Sequence, residues 1–508
     1  MYIDRFIAIY NQRGSTVHAS VRELDLEIPG ADAVFIAGEW RKPAAAGLID
    51  VISPSTENLL IQVARPCPAD ADAAVAAARD AFDNGPWPRM PVAERTQIVS
   101  RFCDALESAF GELNRAWAHE SGAPLKHAVM MHEGASTMAW RAAVELAPEL
   151  PWEQDRGDAV IRREPTGTVL AILTYNGPVP LMAMKVIPAL LAGCPVVVKH
   201  APESQLTAHL IAEASLQAGF PLGVLSFLPA DTEVTQHLVS HPGIDLVTVT
   251  GSQAIARDIL NRTSPRLART ALELGGKSPA ILTEDVDLDE VMTTLAEGSS
   301  SFMGQICVLL SRIIVPRSRY SEVENALVDY YTSLTIGDPF DPATDRGPLS
   351  VGRARTRTEA FVAGAVSEGA RVACGGKRPA GISRGYYYEP TLLADVDNQM
   401  TVAQEEVFGP VACLIAYDDI EQAIDIANDT PYGLAAAVYS KETSTALDIA
   451  RRIRSGSVGV NVAGMSLSQP FGGVKQSGWG RECGPEGILE FTDMKQMLVA
   501  GGSSFLSQ

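Results

Sequence analysis

The sequence predicts an α/β fold in which helices alternate with parallel β-strands. Short β-rich runs separated by helical segments extend from residue 169 to residue 274, and the same alternation returns after Gly275. The length of 508 residues predicts two to four domains, because a chain of this size can bury more than one hydrophobic core. We therefore expect two α/β units that follow each other along the chain.

The region before residue 169 is predicted to be mostly helical. Residues 1–34 lack strong periodicity and are interpreted as an extension, while short strands with Gly and Pro-Ser-Thr turns are expected between residues 35 and 60. Ala-rich segments with apolar residues at helical spacing follow, interrupted by Pro and Asn-Gly. They predict several helices within residues 70–82, 92–120 and 126–146.

The middle of the chain predicts the first parallel sheet. Its expected strands are 169–174, 195–199, 224–228, 246–250 and 269–274. The helices expected between them are 181–192, 204–218, 232–240 and 252–260. Parallel sheets bind ligands at the carboxyl ends of their strands, yet no Gly-x-Gly-x-x-Gly follows any of these strands. A dinucleotide bound here would therefore lie on a turn without the usual glycine pattern.

The second half predicts a further α/β unit. The expected helices are 287–301, 319–335, 352–368 and 420–427. The expected β-rich runs are 312–315, 372–375, 411–417, 435–439 and a terminal strand at 489–499.

Composition and charge argue against several classes of partner. There are 41 Lys and Arg against 61 Asp and Glu, so the net charge is −20, which disfavours nucleic acid and anionic membrane surfaces. The longest apolar run, 186–198, is too short to span a bilayer, and the N-terminus does not resemble a signal peptide. Seven scattered cysteines indicate free thiols in a reducing compartment, so a cytoplasmic location is expected. No Cys-x-x-Cys and no complete His-Glu-x-x-His occurs, and no metal site is expected.

Three residues are candidates for chemistry. Cys307 follows Gly and Gln, which suggests a helix N-terminus where a thiolate would be stabilised, although a buried and inert cysteine is the commoner outcome for such a segment. Glu273 stands between leucines and before two glycines, where burial raises a carboxyl pKa and a ligand can approach closely; a hydrogen-bonded acid at a strand end is the alternative. Asn176 follows the first parallel strand and could donate to an oxyanion or simply occupy a turn.

These segments, in this order, resemble the aldehyde dehydrogenase superfamily. The resemblance extends from about residue 35 to residue 496. Its motifs are GPWPRM at 85–90, TYNGPVP at 174–180, VVVK at 196–199, AGFPLGV at 218–224, VTGS at 249–252, LELGGKSP at 272–279, GQIC at 304–307, EEVFGPV at 405–411, PYGLAA at 431–436 and PFGGVKQSGWGRE at 470–482.

The resemblance implies a mechanism for these residues. Cys307 as a thiolate attacks the aldehyde carbon, and the Asn176 amide with the Cys307 backbone N–H holds the resulting oxyanion. Hydride passes to NAD(P)⁺, and Glu273 activates the water that hydrolyses the thioester to a carboxylic acid. Lys185 corresponds to a family lysine near the Asn and Glu that helps to set protonation.

The resemblance also implies a set of coenzyme contacts. Lys199 is expected to reach the adenosine ribose, Ser252 after Gly251 the pyrophosphate, Glu406 the nicotinamide ribose and Phe408 the carboxamide. Further residues expected along the coenzyme site are Thr174, Tyr175 and Leu274.

One departure from the family pattern affects the choice of coenzyme. Where many members carry a Glu for the ribose 2′-OH, this chain has Pro202, and Glu203 comes one position later. A glutamate near the 2′-OH repels a 2′-phosphate, so NAD is expected ahead of NADP.

A second departure concerns the substrate pocket. Gly177 stands where the family commonly has Phe, which predicts a roomy, mostly apolar pocket for a bulky or long aldehyde, unless neighbouring side chains refill the space. The expected lining residues are Gly177, Met184, Met303, Ile306, Val308 and Phe471.

The implied architecture has three parts. They are a Rossmann-like coenzyme domain (35–145 and 167–275), a catalytic domain (276–476) and a small β-flap for bridging and oligomerisation (146–166 and 477–508), with a homodimer or homotetramer expected. Two alternatives compete with hydrolytic aldehyde oxidation. A CoA-acylating semialdehyde dehydrogenase of the same fold would lack the general-base Glu, and a non-catalytic binding protein would not need Cys307, Glu273 and Asn176 together.

Overall fold

A computed structural model describes residues 24–498 and contains two large β-sheets, each covered on both faces by apolar cores. This mixed α/β architecture with parallel sheets confirms the predicted fold class. Most of the predicted N-terminal extension (1–23) and the end of the chain (499–508) lie outside the described residues.

The first sheet has eight strands. In spatial order they are Gly478–Trp479, Arg269–Leu274, Leu246–Gly251, Val169–Ile172, Val196–Lys199, Leu225–Phe227, Val34–Ile36 and Glu39–Arg41. The five strands predicted from the middle of the sequence pair in parallel, as expected, and the added strands at both edges pair antiparallel. A separate hairpin joins Leu48–Ile52 to Leu59–Ala64.

The order of these strands creates a crevice. The chain enters at the central strand Val169–Ile172 and adds Val196–Lys199 and Leu225–Phe227 on one side. It then returns to add Leu246–Gly251 and Arg269–Leu274 on the other side. Ligands bind at such a point of reversal, outside the carboxyl ends of the strands. The loops that follow residues 172 and 251 therefore flank the expected binding crevice.

Helices cover this sheet where the periodicity placed them, with small shifts in their ends. They are Pro68–Asp83, Val92–Ser108, Phe110–Ser121, Leu125–Val129, Thr137–Leu146, Pro178–Ala192, Gln205–Ser215, Thr232–Ser240 and Gln253–Thr263. One turn of π-helix, Met130–Ser136, lies within the predicted segment 126–146. The stretch 92–120 divides at Ala109, which ends one helix and precedes the next.

The second sheet has seven strands. In spatial order they are Arg371–Cys374, Thr391–Ala394, Val411–Tyr417, Leu310–Pro316, Ser278–Leu282, Ala435–Tyr439 and Ser457–Val460. All neighbours are parallel except the first pair. The helices of this half are Leu288–Ser300, Tyr320–Ser333, Gly352–Ser367, Thr401–Gln404, Ile420–Asn428, Thr443–Ala450 and Gly484–Leu489.

A three-stranded antiparallel sheet joins two distant parts of the chain. Thr492–Leu498 pairs with Ala159–Pro165, which pairs on its other side with Glu153–Asp155. The terminal strand begins three residues later than the predicted 489, because a short helix continues to Leu489. Within residues 24–498, Thr492–Leu498 has no partner on its outer side.

Residues 24–498 contain neither a candidate membrane-spanning helix nor a candidate metal site. No helix in this part of the chain combines the length and apolarity that crossing a membrane requires. The same residues also include no group of three or more His, Cys, Asp or Glu side chains placed to bind a metal ion.

Candidate active site

Cys307 lies in a turn between the 3₁₀ segment Ser301–Gly304 and the strand Leu310–Pro316. No helix begins at this residue, so the predicted helix N-terminus is wrong. The close approach inferred from the preceding glycine is instead a left-handed backbone at Phe302, Met303 and Gly304. A Cβ atom on Gly304 would lie 1.9 Å from the Gly409 carbonyl oxygen, so the chain can pass here only with glycine.

The Cys307 side chain contacts an apolar group that we call the Cys307 cluster: Met184, Leu434, Phe471 and Cys483. Burial raises the pKa of the Cys307 thiol to about 12, and the carboxylates of Glu406, Glu273 and Glu482 act in the same direction. The thiol is therefore protonated near neutral pH in this state of the protein. Its use as a nucleophile requires a group that accepts its proton.

Asn176 follows the central strand of the first sheet and reaches the loop that carries Cys307. Its Nδ2 donates to the Gln305 carbonyl at 2.9 Å, and its Oδ1 accepts from Thr174 Oγ1 at 2.5 Å. An amide carries two N–H donors, so one remains for a further acceptor beside Cys307.

Glu273 lies near the end of the strand Arg269–Leu274 and is buried, with 5% of its surface exposed. Neither carboxylate oxygen forms a hydrogen bond of normal geometry with the described residues. Burial raises the pKa of Glu273 well above its usual value, and the neighbouring Glu482 adds to this rise, against the opposing influence of Lys185 and Arg481. Such a carboxylate is poised to accept a proton.

A buried ion pair that the sequence did not reveal supports this carboxylate. Lys185 is fully buried on the helix Pro178–Ala192 and its ammonium pairs with Glu482, while Thr248 Oγ1 lies 3.5 Å away. Glu482 closes the motif at 470–482, and its place in the motif was the only signal that could have identified it. The pair brings one positive and one negative charge beside Glu273.

The predicted pocket residues divide into three groups. Met184 and Phe471 belong to the Cys307 cluster and Val308 packs against it, while Gly177 precedes the helix that carries Met184. Ile306 packs on a different apolar group that includes Trp117 and Phe302.

Met303 does not join these residues, and its prediction as a lining residue is wrong in this structure. It is 1% exposed and belongs to the core beneath the second sheet, because the left-handed backbone turns its side chain into that core.

The crevice of the first sheet carries the features of an anion site. Gly251 ends a strand, and Ser252 then caps the helix Gln253–Thr263 by accepting from the Ile255 N–H at 3.3 Å. Thr250 Oγ1 and Gln253 Nε2 are buried there without hydrogen-bond partners among the described residues. A helix N-terminus with unpaired polar groups fits the pyrophosphate of a dinucleotide.

Lys199 ends the strand Val196–Lys199, which lies on the other side of the central strand from Leu246–Gly251, and it is buried. Burial lowers its pKa to about 8, partly offset by Glu203 and Asp231. The Tyr175 ring, from the loop after the central strand, lies edge-on to the Phe408 ring with 6.3 Å between centroids. Lys199 and the loop of Tyr175 thus lie at the carboxyl ends of two adjacent parallel strands.

Glu406 reaches the same region from the second unit. It accepts from the Gly276 N–H at 3.1 Å, and a Cβ on Gly275 would lie 2.2 Å from its Oε2. Gly275 thus makes room for the Glu406 carboxylate, whereas a Cβ on Gly276 would lie 2.7 Å from the Cys307 carbonyl oxygen. Protein atoms, and not the ligand expected from the sequence, approach both glycines. Burial raises the pKa of Glu406 to about 7. Leu274, which precedes these glycines, is buried at the strand end.

The profile of the Aldehyde dehydrogenase family matches residues 40–497. The chain belongs to the aldehyde dehydrogenase family. Geranial dehydrogenase of Castellaniella defragrans is 38% identical to this aldehyde dehydrogenase over 473 residues, which cover 92% of the chain and 98% of the relative. A 3-succinoylsemialdehyde-pyridine dehydrogenase of a Pseudomonas species is 36% identical over 475 residues, with the same two coverages of 92% and 98%.

Solved structures agree with this aldehyde dehydrogenase along nearly its whole length. A Mycobacterium tuberculosis aldehyde dehydrogenase complexed with NAD⁺ matches with a TM-score of 0.91 and 43% identity, covering 92% of this chain and 98% of that chain. A Pseudomonas syringae aldehyde dehydrogenase C mutant complexed with NAD⁺ and octanal matches with a TM-score of 0.90 and 36% identity, covering 93% and 98%. Family membership gives this protein the NAD-dependent oxidation of an aldehyde as its reaction, and confirms the predicted activity and coenzyme.

Proposed function

We propose that this aldehyde dehydrogenase converts bulky or long apolar aldehydes into carboxylic acids, with hydrolysis as the releasing step. One observation carries the proposal. Cys307 packs against an apolar cluster, and the buried carboxylate of Glu273, which forms no hydrogen bond of normal geometry with the described residues, is close enough to influence the pKa of the Cys307 thiol. The first supplies a nucleophile next to an apolar chain, and the second supplies a base for water.

Bond formation begins at the Cys307 sulfur. The sulfur attacks the aldehyde carbon, a C–S bond forms, and the carbonyl oxygen becomes an oxyanion held by the free N–H of Asn176 and the Cys307 backbone N–H. The thiol proton passes to the Glu273 carboxylate, whose raised pKa favours the protonated form. The same donors stabilise the second oxyanion, which forms when water attacks the thioester.

The coenzyme is held between the two α/β units in this proposal. Ser252 and the helix behind it take the pyrophosphate, Lys199 and Glu203 the adenosine ribose, and Glu406 the nicotinamide ribose. Thr174, Tyr175, Leu274 and Phe408 complete the walls. When bound, NAD⁺ accepts the hydride that leaves the aldehyde carbon. The buried, unpaired Thr250 and Gln253 atoms support this placement.

Hydrolysis depends on Glu273 giving up its proton before water arrives. We propose that the buried Lys185–Glu482 pair, whose charges act on Glu273, takes up that proton. The ionised Glu273 then removes a proton from water as the water oxygen bonds to the thioester carbon and the C–S bond breaks. The product is a carboxylic acid and the thiol is restored. A CoA-acylating enzyme would not need this base, so Glu273 favours hydrolysis.

The substrate class is proposed from the apolar lining and from Gly177. A Cβ added at Gly177 would lie 3.8 Å from Pro180, in ordinary van der Waals contact, so the loop leaves room there. Apolar surroundings with an adaptable Met184 suit a hydrocarbon chain. Two similar proteins point to the same class of long or bulky apolar aldehydes: one is named geranial dehydrogenase, and the solved structure of the other contains octanal.

The test compares kcat/KM for octanal and geranial with kcat/KM for acetaldehyde, with acids quantified in the presence and absence of CoA. We expect the long aldehydes to lead by at least about tenfold, and the free acid to form without CoA. Gly177→Phe reduces the long-chain values and spares acetaldehyde, whereas Gly177→Ala, the matched control, changes neither. A preference for acetaldehyde, or a requirement for CoA, contradicts the proposal.

Assembly and location complete the proposal. The open edge of Thr492–Leu498 exposes Met494 and Leu498, which favours pairing with a second copy and hence a homodimer or homotetramer. We propose the predicted domain boundaries: a coenzyme domain (35–145 and 167–275), a catalytic domain (276–476) and the β-flap (146–166 and 477–508). All seven cysteines are free, which supports a reducing, cytoplasmic compartment. Light scattering coupled to size exclusion measures the oligomeric state, and a monomer would contradict this assignment.

A further inference from the structure

Glu203 and Arg353 form an ion pair that joins the two α/β units beside the coenzyme crevice. Arg353 Nη2 lies 2.5 Å from Glu203 Oε1. Glu203 follows the strand Val196–Lys199 of the first sheet. Arg353 is the second residue of the helix Gly352–Ser367, whose apolar face packs in the core beneath the second sheet. Nothing in the family resemblance predicted a partner for Glu203.

The pair lies where the ribose end of the coenzyme is expected. Glu203 influences the pKa of Lys199, the buried lysine at the carboxyl end of the strand, and both Glu203 and Arg353 influence the pKa of Tyr175. The neighbouring Pro202 has no polar side chain. Recognition of a sugar hydroxyl at this end therefore falls to Glu203 and Lys199, with a guanidinium held directly beside the carboxylate.

We propose that Arg353 is a latent phosphate ligand that Glu203 holds in check, so that the pair sets the choice between NAD⁺ and its 2′-phosphorylated form. This inference rests on the proposed placement of the coenzyme. The carboxylate accepts a hydrogen bond from a 2′-hydroxyl and repels a 2′-phosphate, while it also occupies the guanidinium. Without the carboxylate, the same guanidinium is free to bind the phosphate with two parallel hydrogen bonds.

The exposure of the two side chains makes the proposal testable without loss of the fold. The Arg353 side chain is 69% exposed and the Glu203 side chain 20%. An ion pair with one well exposed partner contributes little to stability and rearranges easily, so we expect single substitutions to leave the folded protein intact. A purely structural bridge between the two units would affect both coenzymes equally, whereas a phosphate ligand affects only one.

The experiment measures the Kd of NAD⁺ and of NADP⁺ by calorimetry in the absence of aldehyde, and kcat/KM for both coenzymes with one aldehyde, at two salt concentrations. The NADP⁺/NAD⁺ ratio is formed from both the affinities and the kcat/KM values. We expect Glu203→Gln to raise the NADP⁺/NAD⁺ ratio by about tenfold, Arg353→Ala to lower it, and the double variant to lose most of the gain. The gain in Glu203→Gln falls as salt increases, because the new contact is between exposed charges. Glu359→Gln, which breaks the pair between Glu359 on the same helix and Arg378 in a later loop, is the matched control and leaves the ratio unchanged.

Each outcome separates this inference from the proposed function. If Glu203→Gln and the double variant show the same ratio, Arg353 takes no part and the inference is overturned. If Glu203→Gln leaves the ratio at the wild-type value, the carboxylate does not face the ribose and the inference also fails. Both results would stand beside normal wild-type oxidation of octanal, whereas failure of the proposed function would appear as an absence of acid product in the wild type.

Discussion

The side-chain amide of Asn176 donates a hydrogen bond to the backbone carbonyl of Gln305, 2.9 Å away. Asn176 follows the central strand of the first sheet, and Gln305 precedes Cys307 by two residues in the second unit. This bond fixes the amide relative to the sulfur, and Thr174 fixes its rotation from the other side. The amide that we propose as the oxyanion donor is thus held in place in the structure without a bound aldehyde.

Replacement of this amide tests its role directly. Asn176→Ala removes a preorganised donor, and kcat falls by about 10²–10³, the usual cost of losing one such donor. Because the substitution also breaks the bond to Gln305, the thermal midpoint is recorded alongside steady-state kinetics. Asn261→Ala, an exposed asparagine on the helix Gln253–Thr263, is the control. An unchanged kcat in Asn176→Ala would place the oxyanion elsewhere.

Removal of the proposed base separates the two halves of the reaction. Glu273→Gln removes the acceptor of the Cys307 proton as well as the base for water, so both steps slow at neutral pH. At pH 10, where part of the thiol ionises without a base, acylation proceeds while hydrolysis stays slow, and the acyl group accumulates on Cys307. Intact-mass spectrometry after mixing with octanal and NAD⁺ detects the added octanoyl mass. The Cys307→Ala variant gives the background for this measurement. A variant that turns over at the wild-type rate, with no adduct, would show that another group activates water.

The ion pair beside Glu273 predicts a pH effect with a defined sign. Glu482 raises the pKa of Glu273 and Lys185 lowers it. Removal of the Glu482 charge therefore lowers this pKa, and the acidic limb of the kcat profile moves to lower pH, because the ionised base persists further into acid.

Glu482→Gln is the variant that tests this effect, with kcat measured between pH 5 and 9. It also leaves Lys185 without its buried partner, which costs about 3 kcal/mol in the free energy of unfolding. Glu486→Gln, an exposed carboxylate on the next turn, controls for the loss of surface charge. A shift of the acidic limb to higher pH would contradict the conclusion that Glu482 raises the pKa of Glu273.

The raised pKa of Cys307 predicts slow alkylation of the free enzyme. With a pKa of about 12, little thiolate is present at pH 8, and the rate of labelling by iodoacetamide rises through pH 10 rather than levelling near pH 9. Peptide mass spectrometry follows the label at this cysteine. Cys67, a half-exposed cysteine, is the internal reference. Rapid labelling of Cys307 at neutral pH would mean that the resting sulfur is already ionised.

The sequence predicted the parallel strands of the first sheet because each is a short apolar run between turn signals. It missed Ser278–Leu282, because that strand follows Gly276 and Lys277 directly and begins with Ser-Pro, a combination typical of a loop. Thr391–Ala394 and the helix Thr443–Ala450 are short, and their periodicity does not stand out from their surroundings.

Contacts between distant segments lay beyond the reach of sequence patterns. Cys307 was identified from its neighbours, but its turn depends on the Gly409 backbone, more than a hundred residues later. Met303 packs in the core beneath the second sheet, with residues such as Tyr388 and Cys413 that are distant in the sequence. Glu482 and Arg353 acquired partners only through folding, since nothing near them in the chain indicates Lys185 or Glu203.

Two glycines on the loops around the sulfur differ in what they tolerate. Any side chain at Gly304 collides with the Gly409 carbonyl, whereas Gly177 has its nearest neighbour at 3.8 Å. The loop before Cys307 consequently accepts no side chain at residue 304, whereas the loop after the central strand accepts at least a methyl group at residue 177. If position 177 borders the aldehyde as we propose, we expect new substrate preferences to evolve there while the backbone beside Cys307 stays the same.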